Sequence, residues 1–195
     1  MRKLAVSDIS DLRAYERERD DFRARIIAMK KRRRIALGDV ITLVFENRDT
    51  MRFQIQEMAR AEKMISDEQI TREVATYNEL VPDSGELSAT LLVELTSEAA
   101  LREWLPKLVG IEREVAIELG GRGRGEVVGE PIDEDRLTRQ DVTAAVHFLR
   151  FTFGAHEVDA LVRGPVSLVS RHPDYPAETA LSIEQHAELV ADLTE

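Results

Sequence analysis

"VITLVFENRDTMRFQIQEMARAE", Val40 to Glu62, changes its period half-way along. Up to Glu46 the pattern alternates. Ile41, Leu43 and Phe45 fall on one face, and Thr42, Val44 and Glu46 on the other, which predicts a strand. After Asn47 the apolar residues Met51, Ile55 and Met58 recur at helical spacing, and Asn47 or Asp49 is placed to cap the new helix. The helix also carries an unusual polar load. Arg48, Arg52, Gln56 and Arg60 are spaced by four and form one stripe, while Gln54 and Glu57 flank the apolar seam from the other side. Guanidinium and carboxamide groups present donors and acceptors in fixed, forked geometry, suited to a carboxylate, a phosphate or a stretch of backbone. The stripe reads either as internal ion pairs and subunit contacts or as a binding surface.

Working outward, "SDISDLRAYERERDDFRARIIAMKKRRR" predicts a long N-terminal helix, with Ser7 or Ser10 as cap and Leu12, Tyr15, Phe22, Ile26 and Met29 on its apolar face. The cations from Lys30 to Arg34 complement the dipole of its last turn. "LGD" supplies a turn before the strand. Ser66 to Gln69 has the spacing of a capping box and opens a further helix carrying Ile70, Val74, Tyr77 and Leu80. Leu87–Leu95 predicts a strand. Ser97 caps a helix that Pro106 kinks or ends. "EVAIEL" and "GEVVGEPI" predict a hairpin around "GGRGRG", followed by an acidic stretch. Thr143–Phe153 predicts a strand, His156–Arg163 a short helix, "PVSLVS" an edge strand, and Ser182 the cap of a closing helix. Without a regular strand–helix–strand rhythm, the order predicts an α+β fold with a mostly antiparallel or mixed sheet covered by helices. The 195 residues predict a single domain, 1–195, in which 1–34 pack on or swap with an α+β body over 35–195.

Composition narrows the classes further. There is no cysteine, so a disulfide framework, a thiolate metal site and a cysteine nucleophile are excluded. No apolar run approaches the roughly 18 residues that mark a membrane span, and no signal-peptide pattern is seen, which predicts a cytoplasmic protein with no membrane partner. The net charge is −10, unevenly spread: residues 1–60 hold 15 basic and 10 acidic side chains, the remainder 12 and 27. The two parts are expected to attract each other, within or between chains. Nucleic acid is an unlikely partner, because the overall field repels a polyanion.

No reaction is legible. "GGRGRG" lacks the lysine and hydroxyl of a P-loop and precedes a strand, so it reads as a hairpin turn. His147 shares a strand face with Leu149, Phe151 and Phe153, while Arg150 points the other way with Phe148 and Thr152. A histidine so placed is a core residue with a satisfied hydrogen bond or, as the sharper reading, a ligand or catalytic group inside the sheet's covered face. His156, His172 and His186 show no pair at metal spacing. Neither a metal nor a cofactor is predicted, and whether the protein is an enzyme is left open. "RHPDYP", Arg171–Pro176, reads as a rigid loop.

"RARIIAMKKRRRIALGDVITLVFENRDTMRFQIQEM", then "YNELVPDSGELSATLLVE", "LVGIE", "AVHFLRF" and "RHPDY" follow in an order that resembles a bacterial family of unknown function, domain-of-unknown-function family 3501, over about residues 3 to 194. Pro106 and the glycines at 120–125 depart from its pattern. Arg48, Met51, Arg52, Gln54, Gln56, Glu57, Asn78, Pro82, His147 and Arg150 match the family's characteristic blocks. The resemblance carries no reaction. It implies an accessory part in redox or oxidative-stress metabolism, because such proteins accompany rubrerythrin-like proteins and iron–sulfur oxidoreductases.

The expected function is that of a cytoplasmic accessory or binding protein acting through protein–protein contacts at the Arg48–Arg60 surface, the partner being another copy, as in a homodimer, or a redox protein. The alternative is a small-anion-binding protein or enzyme that uses the Arg/Gln stripe with Glu57 or His147. The candidate binding residues are Arg48, Arg52, Gln54, Gln56, Glu57, Arg60, Asn78, His147 and Arg150.

Overall fold

The computed structural model describes residues 2–121, 123–132 and 142–194; Arg122 of the glycine loop and the acidic stretch at 133–141 lie outside the described residues. Along the chain run α1 (Leu12–Arg33), β1 (Arg34–Leu37), β2 (Ile41–Glu46), α2 (Arg48–Ala61), α3 (Asp67–Asn78), β3 (Glu86–Val93) and α4 (Glu98–Lys107). They are followed by β4 (Val115–Leu119), β5 (Glu126–Val128), β6 (Glu130–Pro131), β7 (Val146–Thr152), α5 (Ala155–Arg163), β8 (Val166–Ser170), β9 (Ala177–Ala180) and α6 (Ile183–Thr194). The fold is α+β. One sheet has the order β1-β2-β3-β7-β6 and the other β5-β4-β8-β9, and every described pairing is antiparallel.

The switch of period at Glu46 is the pivot of the structure. Phe45 pairs with Ala89, and Ala89 with Leu149; Leu43 pairs with Leu91, and Leu91 with His147. These inner-face residues meet Val115, Ile117, Leu119 and Leu168 of the second sheet, and Leu161, Leu189 and Leu193 of α5 and α6 join the same core. The outer face of the first sheet is covered in turn. Met51 and Ile55 of α2, Val74 of α3 and the following Leu80 and Val81 pack together there with Phe148. Every residue of β2 is therefore buried, on one side by the second sheet and on the other by helices. α1 lies over α2 through Phe22, whose ring meets Phe53 edge-on with centroids 5.6 Å apart.

Asn47 caps α2: its Oδ1 accepts from the amides of Asp49 and Thr50 at 3.1 and 3.0 Å. Ser66, Ser97 and Ser182 cap their helices as expected. α1 departs from expectation. Asp11, rather than Ser7 or Ser10, caps it by accepting from the Ala14 amide at 2.9 Å. The Ser10 hydroxyl instead donates to Glu18 at 2.9 Å. Pro106 sits in the last turn of α4, which ends one residue later.

The strand expectations need three corrections. The turn expected at "LGD" is present, but the first helix ends at Arg33 rather than Arg34, and Arg34–Leu37, which carried no strand expectation, forms β1 and pairs back onto β2. "PVSLVS" is an interior strand: β9, with its uninformative sequence "AETA", covers the flank of β8. The strand predicted by "GEVVGEPI" is divided. β5 pairs with β4, but β6 pairs with β7 in the other sheet, and the chain crosses between sheets at Gly129. A Cβ there would lie 2.9 Å from the Phe151 ring, so the crossing needs a residue without one.

The loop "RHPDYP" locks the β1–β2 hairpin. Tyr175 Oη donates to the Leu37 carbonyl at 2.8 Å and accepts from the Val40 amide at 2.9 Å. Gly38, at φ +66°, leaves room for that hydroxyl, since a Cβ would stand 2.4 Å from it. At the other end of the core, Arg33 makes two hydrogen bonds, 2.6 and 2.5 Å, to Asp192, and both side chains are buried. This pair ties the last turn of α1 to α6. Among the described residues no helix is long and apolar enough to cross a membrane.

Candidate functional site

The polar stripe of α2 faces the chain's own N-terminal arm, residues 2–11, and the start of α1. Arg48 pairs with Asp8 at 2.7 Å. Arg52 Nε donates to the Asp8 carbonyl at 2.8 Å, its Nη2 stands 3.5 Å from Glu18, and its guanidinium lies 5.0 Å from the Phe22 ring centroid. Arg60 meets Glu16 at 2.5 Å. Gln56 is fully buried. Its Oε1 accepts from the Ser10 amide at 2.6 Å and its Nε2 donates to the Ser10 carbonyl at 3.2 Å, so the carboxamide pairs with backbone as a neighbouring strand would. Asn78 repeats this device at Leu4, accepting from its amide at 2.8 Å and donating to its carbonyl at 2.9 Å.

Glu57 completes the seam between α1 and α2. Arg19 grips it with two hydrogen bonds of 2.8 Å and the Tyr15 hydroxyl donates to it at 2.6 Å. The hydrogen bonds from Arg19, and after them that from Tyr15, hold its carboxyl at about 2 against the ordinary 4.5, outweighing the effect of burial. Tyr15 moves upward, through burial and through its bond to Glu57. A carboxyl this acidic and this fully engaged is a poor proton carrier near neutral pH.

Arg150 donates to the Glu79 carbonyl at 2.7 Å and lies 3.4 Å from Glu86. His147 stands on the inner face of β7, on the far side of the sheet from α2. Its Nε2 is 2.8 Å from Thr143 Oγ1 and 3.0 Å from the Ala144 carbonyl. Burial, opposed by the nearby Glu112, lowers its pKa. The structure thus brings Arg48, Arg52, Gln56, Glu57 and Arg60 together with the N-terminal arm, puts Asn78 against the same arm, and leaves His147 and Arg150 apart from them. His172 and His186 are bonded to the Val109 and Leu161 carbonyls. Among the described residues no group of three His, Asp or Glu side chains is placed to hold a metal ion.

Gln54 alone of the α2 candidates points elsewhere. It lines a cleft of about 530 Å³ between the helices α1–α3 and the outer face of the first sheet. Ile26 and Ile27 of α1, Met51 and Phe53 of α2 and Tyr77 of α3 form one wall, and Val44, Leu92, Val146 and Phe148 the other. Ile27 and Val146, 44% and 37% exposed, bring apolar side chains to the mouth beside Lys30 and Lys31. The floor holds a carboxyl. Glu46 ends β2 on this face and is only 4% exposed. Its Oε1 accepts from the Thr90 hydroxyl at 2.9 Å. Its Oε2 receives no hydrogen bond among the described residues, and the nearest cation, Lys30 Nζ, stands 3.4 Å away. Buried polar atoms are rarely left in this state. A second cavity of about 620 Å³, between the N-terminal arm and α3, has no orphaned buried polar atom among its lining residues.

Glu46 was visible in the sequence as the outer-face end of a strand, but not as a site. The available signal was an acidic residue in phase with Val44, on a strand whose two faces are both apolar next to it. The burial that makes it matter comes from α1 and α2 crossing overhead.

A crystal structure of a protein of unknown function from Burkholderia pseudomallei is similar over its whole length: 37% identity, 98% of this chain and 100% of that one covered, TM-score 0.89. No curated protein matches the chain. The profile of a family described as protein of unknown function, DUF3501, matches residues 3–193. The chain belongs to the DUF3501 family.

Proposed function

We propose that the protein is a binding protein that takes a small amphipathic molecule into the cleft between α1–α3 and the outer face of the first sheet. The observation that carries this reading is Glu46, a buried carboxyl in a mostly apolar cleft with one oxygen left without a hydrogen bond. Leaving such a group unsatisfied costs about 1–3 kcal/mol, which a site kept for a ligand recovers on binding. The volume lies within the roughly 300–1,000 Å³ usual for ligand sites, and the mostly apolar lining with a few convergent polar groups is their usual chemistry.

The test is saturable binding of a neutral environment-sensitive dye, N-phenyl-1-naphthylamine, followed by its blue-shifted fluorescence. One dye per chain is expected, with binding lost in the double variant Ile27→Trp, Val146→Arg, which blocks the mouth at two exposed positions and leaves the unfolding midpoint unchanged. Binding that does not saturate, or that the double variant retains, removes the proposal.

An accessory role in redox metabolism, a cytoplasmic location and self-association enter the same proposal as the setting in which such a ligand is met. Contact with another copy or a redox protein through the Arg48–Arg60 surface has less support. It requires the internal pairs of Arg48 with Asp8 and Arg60 with Glu16 to be exchanged for intermolecular ones. A small-anion site or enzyme built on the stripe has less still, because its forks are occupied and His147 lies across the sheet from Glu57.

A further inference from the structure

We infer that the ligand of this cleft is an apolar molecule ending in a hydrogen-bond donor, an ammonium or a hydroxyl, and that Glu46 Oε2 receives that donor. The inference rests on the cleft being a ligand site and adds the chemistry of the head group.

The polar inventory of the floor leads to it. The proton of the Thr90 hydroxyl is already given to Glu46 Oε1. That bond fixes the plane of the carboxyl and leaves Oε2 without a hydrogen bond, enclosed so that a water-sized molecule does not touch it while its neighbours stay in place. Lys30 reaches over from the last turn of α1, but at 3.4 Å it makes an ion pair without a hydrogen bond, and its side chain is 33% exposed. Arg34 is held by Glu94. An anionic or purely accepting head on the floor meets an acceptor that it can neither satisfy nor avoid, and is limited to Lys30 and Lys31 near the rim. A donor head completes Glu46. Because Oε2 is enclosed, the head reaches it only as neighbouring side chains give way, the partly exposed Lys30 stem swinging outward toward water; a hydroxyl then shares the oxygen with Lys30, whereas an ammonium takes over its role as counter-ion. Gln54, half-buried on the cleft wall with no hydrogen bond of its own among the described residues, can accept from or donate to the same head.

The test is displacement of N-phenyl-1-naphthylamine by octylamine, 1-octanol and octanoate, which share one tail and differ in head. In the wild type, octylamine and octanol are expected to displace the dye at concentrations at least about tenfold below octanoate, the size of one buried hydrogen bond to a charged group. Glu46→Gln is expected to reverse the order. Thr90 still donates to the amide oxygen, which turns the amide nitrogen, a donor, toward the ligand. Lys30→Met, at a side chain that is partly exposed, is expected to improve octylamine severalfold and leave octanol unchanged. If octanoate matches or exceeds the other two in the wild type, the donor-head inference is overturned while the cleft stands as a site. If the dye binds in the cleft and none of the three displaces it, the inference is overturned in the same way. If the dye itself fails to bind, the site reading falls first. The wild-type series decides the matter even where a variant fails to fold.

Discussion

Replacing Gln56 by Met separates an internal clasp from an external binding stripe. The side chain is fully buried, and Met nearly matches its volume and flexibility, so the change removes polar atoms with little cavity. Two hydrogen bonds to Ser10 disappear, of 2.6 and 3.2 Å. At about 1 kcal/mol each the net loss is about 2 kcal/mol, and the stranded Ser10 amide and carbonyl, only partly reached by water, raise it to about 2–3 kcal/mol. The assay is urea unfolding paired with amide hydrogen exchange. Ser10 is expected to lose protection while Leu4, held separately by Asn78, keeps it. Asn78→Ala should do the converse. If α2 instead presents its stripe to another molecule, Gln56→Met behaves as a surface change and shifts stability by no more than about 0.5 kcal/mol. That result, with Ser10 exchange unaltered, refutes the clasp.

Acid should loosen the α1–α2 seam through Glu57. Its folded pKa of about 2 lies below the ordinary 4.5, so its contribution is present in full above about pH 4.5 and is lost as pH falls toward 2. The shift sets a ceiling of about 3 kcal/mol, and screening at a side chain 27% exposed reduces it to about 1–2 kcal/mol. Between pH 5 and pH 2, Glu57→Gln should therefore lose about that much less stability than wild type by urea titration; parallel curves refute the assignment. Arg33→Met strands the buried Asp192 and should cost about 3–5 kcal/mol, whereas Arg33→Met with Asp192→Leu should recover most of it, as measured by thermal unfolding. Gly38→Ala should cost about 1–3 kcal/mol, from its left-handed backbone and the contact with the Tyr175 hydroxyl, and should cost clearly less in a Tyr175→Phe background; equal costs in both refute the clamp.

The parts of this fold that could be read from the chain are those where a local pattern and the final environment agree. The alternation of β2, the cap at Asn47 and the seam of Met51 and Ile55 each report a burial within a few residues of the signal. β1 escaped because it is four residues long and begins inside a run that already reads as a helix end. β9 escaped because Ala177–Ala180 has neither bulk nor clear alternation, and its pairing with β8 supplies what its sequence lacks. Gly129 gave no notice that one extended segment serves two sheets.

The stripe shows the same limit at the level of chemistry. Spacing by four puts Arg48, Arg52, Gln56 and Arg60 on one line and identifies them as groups that read carboxylates or backbone. Whose backbone it is depends on contacts between residues 46 and 74 positions apart, Gln56 with Ser10 and Asn78 with Leu4, which no window along the chain contains. The pairs that fill these forks, with Asp8, Glu16 and Glu18, lie within the basic half of the chain; the two halves meet instead at the end of α1, where Arg32, Arg33 and Arg34 pair with Glu188, Asp192 and Glu94. With those groups paired internally, the capacity for recognition moves to a place beside a cleft where satisfaction is incomplete. That place is Glu46, where a strand residue is enclosed by helices that cover it without giving its second oxygen a hydrogen bond.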